Sequence, residues 1–295
     1  MTDISRPRGA TAPDPVAALL DLPGVADAVA SARDACTRLR WHQALRRRIP
    51  EAAAESRVRG ATASALLEGA EVAGSQGSVR VVRDLVRGAQ EWPVEPDPVW
   101  RTLRCAVQVT AATEHVGAAQ LAAPAQVLAH LHVAAASLVL PAGQVGRPRG
   151  AGEECAEWVE LGPPPEPVDL AGRLAGLAEL LGGVPQGRAP ALLVASLVHA
   201  EVVAARPFVQ GNGLVARALE RVVLRAGGLD PTGVAVPEAG HAEKVGADYR
   251  GALTAYVSGG PEGVRLWLLH CAEAAETAAA HGIAVADAVL AGRTV

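Results

Sequence analysis

Apolar residues recur at three- and four-residue spacing along nearly the whole of this chain, and Pro/Gly-rich connectors interrupt them. That period is the helical one, and it leaves little room for sheet. It predicts helices over 15–31, 33–57, 64–74, 79–89, 98–115, 119–139, 168–182, 189–204, 214–226, 242–258 and 262–290. Breaks are expected at Leu22-Pro23-Gly24, at Pro50, at Gly74-Ser75-Gln76-Gly77 and in connectors such as WPVEPDP and ELGPPPEPVD. Thr62 or Ser64 is suited to begin the helix SALLEGAEVAG. The strand signal lies in CAEWVEL, residues 155–161, which alternates weakly between Gly152 and Gly162 and suits a short hairpin arm. The fold class is therefore all-α with a small β feature near 145–162. Residues 141–167 form the best break point, although the helices on both sides can share one core.

Half of the 295 residues are apolar, enough for a substantial core, but aromatics are only 3%. The core must then be built from Ala, Val and Leu. A net charge of −4 supplies no global field for nucleic acid or an acidic membrane. The arginines around Trp41 and His42 (Arg38, Arg40, Arg46, Arg47, Arg48) read as a solvated or salt-bridged helix face. Cys36, Cys105, Cys155 and Cys271 lie far apart, with neither a CxxC pair nor metal-type spacing, as expected of reduced thiols in a cytoplasmic protein. The opening MTDISRPRGATAPDP has no apolar core for a signal peptide. The uncharged stretch Gln120–Gly146 contains Pro124, Gln126, His130 and His132 among many alanines, and so reads as a buried helix rather than a membrane span.

The stretch ARPFVQGNGLVAR, residues 205–217, joins two apolar helices through Gly211-Asn212-Gly213. Unpaired N–H groups and the dipole at a helix start make an anion site, and flanking glycines allow close approach. Asn212 adds a donor, and Arg217 sits one turn inside the helix, ready for a forked contact with an anion. The same string also reads as an ordinary helix–loop–helix turn.

Its surroundings, LVHAEVVAARPFVQGNGLVARALERVVLRAGGL followed by DYRGALTAY and GGPEGVRLWL, resemble the core of the Fic (filamentation induced by cAMP) family over roughly 165–280. The family loop reads His-Pro-Phe-x-Asp/Glu-Gly-Asn-Gly-Arg-x-x-Arg. Pro207, Phe208, Gly211, Asn212, Gly213 and Arg217 match it. The resemblance implies a compact helical bundle with a β-hairpin flap, about 145–162, that docks target peptides. It divides the chain into an N-terminal helical region, 1–90, and a core, 91–295, with the active-site loop at 206–217. It implies transfer of AMP from ATP to a Ser, Thr or Tyr hydroxyl of a target protein, with Mg²⁺. The loop His is then the base, the acid holds the metal, and the loop binds phosphate.

Three positions depart from that pattern. Arg206 stands in place of the base and, with a pKa above about 12, cannot accept a proton near neutrality. Gln210 stands in place of the acid, and a neutral amide is a poor Mg²⁺ ligand. Leu214 replaces the first arginine. ATP remains the ligand the resemblance implies, and Mg²⁺ is not expected to be held. A second family signature, Ser/Thr-x-x-x-Glu-Gly/Asn on an inhibitory helix, is met by Ser64 and Glu68 in a helix placed at about 62–73. These two share a helix face, and Glu68 is expected to pair with Arg217. Three functional readings follow: a Fic-like protein weak or inactive in AMP transfer that keeps an anion or nucleotide loop, a transferase with rewired chemistry, and a non-catalytic interaction module. The target protein is unspecified, and the pattern is compatible with a homodimer.

Overall fold

The computed structural model of the protein describes residues 14–293. The N-terminal stretch weighed as a signal peptide, and the start of the 1–90 region, fall almost entirely outside them. Among the described residues the chain forms eleven α-helices, several 3-10 turns and no strand.

The centre is a hairpin of α7 (Ala191–Ala205) and α8 (Asn212–Ala226). The α7 sequence, ALLVASLVHAEVVAA, is apolar around its whole circumference, and such a helix has to be enclosed on all sides. Around it pack α8, α6 (Pro167–Gly183), α10 (Ala247–Ser258) and α11 (Gly260–Leu290), while α4 (Pro98–Ala112) and α5 (Pro124–Ala136) cover α8. With 31 residues, α11 is a strut roughly 46 Å long. The first helix, α1 (Val25–Arg40), lies along it, and α2 (Ile49–Leu67) packs on α3 (Gly74–Val86), α4 and α9 (Pro237–Ala242). The main core holds Val25, Val58, Leu103, Leu131, Leu193, Leu219 and Trp267 in one cluster, and a smaller one with Leu39, Ala52 and Val285 lies between α1, the start of α2 and the end of α11.

Several boundaries differ from those expected. Pro50 opens α2 instead of breaking a helix, because a proline in the first turn gives up only an N–H that would be orphaned anyway. Ser64 consequently lies in the last turn of a 19-residue helix and caps nothing at its start. Glu68 is the C-cap, and Gly69 follows in the left-handed region at φ 78°. The N–H of Ala70 bonds to the Ala65 carbonyl and that of Gly69 to Leu66, which satisfies the helix end. The expected stop at Gly74–Gly77 is instead the first turn of α3.

The expected hairpin over 145–162 does not form. Gly146, Gly152 and Gly162 have φ of 75°, 79° and 78°, and Trp158 has φ 56°, so the chain turns too often to extend. The carbonyls of Trp158 and Gly162, which a ladder would use, accept hydrogen bonds from Arg206 instead. No helix among the described residues is long and apolar enough to cross a membrane.

Gly240, on α9, lies so close to α11 that an added Cβ would overlap the Ala274 carbonyl. Gly240→Ala should therefore cost about 1–3 kcal/mol in urea unfolding. An unchanged midpoint would contradict this packing.

Candidate functional site

Helix α7 ends at Arg206, whose φ of 42° and ψ of 62° place a non-glycine residue in the left-handed region. This turn aims the guanidinium away from the loop and into the 157–163 segment. Its Nη1 donates to the carbonyls of Gly162 (2.7 Å) and Trp158 (3.2 Å), and its Nη2 to that of Pro163 (3.0 Å). Burial works against its charge, and its buried Nε has no partner. Arg149 binds the same corner from outside. Its main-chain N–H donates to the Pro207 carbonyl (2.7 Å), its Nε to the Arg206 carbonyl (2.8 Å), and its Nη2 to the Pro165 carbonyl. The residue in the base position is thus a clamp on the flap.

Phe208 is buried and stacks on His132 with ring centroids 3.8 Å apart. The His132 ring is fixed at both nitrogens: Gly146 N–H donates to Nδ1 (2.9 Å), so Nε2 carries the proton and donates to the Gln210 carbonyl (3.0 Å). The Gln210 side chain is exposed. Asn212 closes the loop: its Oδ1 accepts from Phe208 N–H and its Nδ2 donates to the Phe208 carbonyl, both at 2.9 Å. Gly211, at φ 90°, then starts α8, whose first N–H groups have no partner within the helix.

Those groups already hold an anion, and it belongs to the protein. The Glu157 carboxylate accepts from Gly211 N–H (2.7 Å), from Asn212 N–H (2.9 Å) and from Asn212 Nδ2 (2.8 Å). Burial, followed by the nearby Glu68 carboxylate, pushes the Glu157 pKa up against these three bonds. Leu214 is buried in the wall beside it. What space remains between Glu68, Glu157, Cys105, Gln210 and Leu214 is about 80 Å³, well below the roughly 300 Å³ at which ligand pockets begin.

The expected pairing of Glu68 with Arg217 is present. Arg217 Nη2 lies 2.5 Å from Glu68 Oε1, its Nε donates to Ser64 Oγ (2.8 Å), and its Nη1 to Tyr249 Oη (3.4 Å). Burial opposes the Arg217 charge, and Glu68 with Tyr249 outweighs it, so the guanidinium pKa is raised. A carboxylate at a helix C-terminus is unfavourable by itself, so Glu68 depends on Arg217 for its place. Gly213 makes room for this contact, since a Cβ there would collide with the Glu68 carboxylate.

Behind Arg217 runs a buried chain of hydrogen bonds. Tyr249 Oη lies 2.8 Å from His199 Nε2, and His199 Nδ1 lies 2.7 Å from Glu220 Oε2. His241 Nε2 meets the same oxygen at 2.8 Å, and its Nδ1 reaches His270 Nε2 at 3.1 Å. His199, Glu220 and His241 could geometrically hold a metal ion, but both ring nitrogens of each histidine already have hydrogen-bond partners, and the set reads as a satisfied core network. His199, on α7 two turns before the loop, belongs to this buried network. Glu157, Glu220 and Tyr249 carry no local signal that marks them in advance.

Glu68→Gln should lower stability by about 2–3 kcal/mol, the worth of a largely buried bond to a charged group, as measured by urea unfolding. His132 supplies a pH test. Burial lowers its pKa to about 4, so the unfolded chain takes up a proton first, near 6.5. Its contribution is complete above that pH and is lost as pH falls toward 4. Unfolding midpoints should decline over that window, and the His132 Cε1–H NMR signal should titrate near the lower limit; titration near 6.5 would contradict the geometry.

No protein-family profile matches the sequence, and no curated protein matches it. Solved structures do. A Fic family protein from Desulfovibrio desulfuricans superposes with a TM-score of 0.67 at 20% identity, over 92% of this chain and 76% of that one. Fic-1 from C. elegans gives a TM-score of 0.67 at 16% identity, covering 90% and 73% of the two chains. A Fic domain containing signaling protein from Bacteroides thetaiotaomicron gives 0.58 at 14% identity, covering 91% and 99%. The likeness covers 90–92% of this chain, and the chain has the Fic-type helical fold.

Proposed function

We propose that this chain is a self-occluded Fic-fold protein that does not transfer AMP, and that its loop serves as an anion cradle for its own flap. The observation that carries this reading is Glu157, whose carboxylate takes the two backbone N–H groups and the Asn212 amide that a phosphate would need. A nucleotide gains the cradle only by displacing that carboxylate.

The chemistry of the loop points the same way. Arg206 has no lone pair to accept the proton of a target hydroxyl, and losing a general base typically costs on the order of 10²–10⁴ in rate. A Mg²⁺ ion does not fit the residues present: Gln210 offers an exposed neutral amide, and the Glu157 carboxylate is engaged by three donors. The flap carbonyls held by Arg206 are also unavailable for pairing with a target peptide. The four cysteines are buried free thiols, in keeping with a reducing, cytoplasmic setting.

Calorimetry with ATP and MgCl₂ tests the plug. The wild type should give no saturable heat at millimolar nucleotide, and Glu157→Ala should bind at least about tenfold more tightly, one charge-assisted contact set being worth that much. Labelled ATP incubated with lysate should leave wild-type samples at background. Transfer is expected only when Glu157→Ala is combined with Arg206→His, Gln210→Asp and Leu214→Arg. Label transfer by the wild type above background would overturn the reading.

A further inference from the structure

A second and larger cavity lies on the far side of α2 from the loop. It encloses about 370 Å³ between α2, α3, α9 and the turn that follows α9, within the roughly 300–1,000 Å³ typical of small-molecule sites. Arg59, Ala63 and Leu66 on α2 line it at three- and four-residue spacing. Ser64 and Glu68 on the same helix face Arg217 instead. One helix thus separates the loop from this cavity.

The cavity has an apolar wall and a cationic end. Ala63, Leu66, Ala239 and Ala242 make the wall. At the other end Arg59 and Arg83 share one carboxylate: Arg59 Nε lies 3.0 Å from Glu55 Oε1, and Arg83 Nε lies 3.0 Å from Glu55 Oε2. Glu55 is 5% exposed, whereas the two arginine side chains are 29% and 22% exposed. Two guanidiniums therefore meet a single buried negative charge, and the surplus positive charge faces the cavity with part of its surface open. Around the mouth, Arg80 lies 3.9 Å from Asp84 and Lys244 2.6 Å from Asp248. The carboxylates of Glu71 and Glu243 are exposed at the rim, where solvent and salt screen them. The surplus positive charge thus lies at the half-buried end, where screening is weakest, and the rim carboxylates lie out in solvent.

We infer that this cavity binds a small amphiphilic anion, with a single phosphate or carboxylate head on the Arg59–Arg83 pair and an apolar body along Ala63 and Leu66. The Arg59–Glu55–Arg83 set supplies the charge-assisted donors, and the alanine-rich wall takes a flexible chain without a polar group left unpaired.

Octyl phosphate and octanoate are suitable probes, with octanol and inorganic phosphate as controls, measured by calorimetry on the full chain. At least one of the two amphiphiles should bind saturably, and the stronger of them identifies the head group. Two variants then test the location. Ala63→Leu fills the apolar wall, and Arg83→Gln removes one guanidinium while Arg59 still pairs with Glu55. Each should weaken binding about tenfold or more, with the helical circular dichroism unchanged. Absence of saturable binding by both amphiphiles, equal affinity for octanol, or affinity unaltered in both folded variants would each overturn the inference.

Discussion

The charged residues on the buried side of α8 must be met by groups from elsewhere in the chain. Arg217, Glu220 and Arg221 are all 5% exposed or less, and an unpaired charge at such depth is among the most expensive features a fold can carry. Helix α2 brings Ser64 and Glu68 to Arg217, and also Ser56 to Arg221. Helix α9 brings Glu238 to Arg221 and His241 to Glu220, and α7 brings His199 to the same carboxylate. These pairings set which helices can neighbour α8, and they explain why the N-terminal helices share one core with the rest. Gly60 shows how tight the arrangement is, since a Cβ there would strike both Arg221 and Glu238.

The loop obeys the same rule from the opposite sign. A helix start presents N–H groups and positive potential, and here the flap carboxylate of Glu157 answers it. Arg206 fits this arrangement for a mechanical reason. In the left-handed position that ends α7, its long side chain reaches the flap carbonyls, holding in place the segment that carries Glu157. A histidine is too short and has too few donors to hold three carbonyls at once. Arg206 thus has the reach and the donors of a clamp, and its guanidinium has no lone pair to accept a proton.

Much of the fold was legible in the chain's periodicity. The all-α class, the central apolar helix, the α7–loop–α8 hairpin and the Glu68–Arg217 contact could each be read from residue spacing and from the resemblance of the loop. Helix ends were harder to place, as Pro50 and Gly74 show, because proline and glycine mark a start as readily as a stop and only the packing of α2 and α3 chooses between them. The flap was misread because CAEWVEL alternates as a strand would. Its carbonyls went to Arg206 rather than to a partner strand, and nothing local to residues 155–161 carries that information.

The amino-acid sequence by itself determined what the loop lacks: a lone pair at Arg206, a carboxylate at Gln210 and a cation at Leu214 are matters of side-chain chemistry and need no coordinates. It also determined that a helix start at Gly211 would leave its first N–H groups without helical partners, a feature shared by an anion site and a plain turn. Only the tertiary structure decided which anion fills that site. The sequence separation between Glu157 and Gly211 hides their contact, and the polar side of α8 looks like a solvated face until α2, α9 and the flap are folded over it. Pairing across such distances depends on burial, which no window of sequence records.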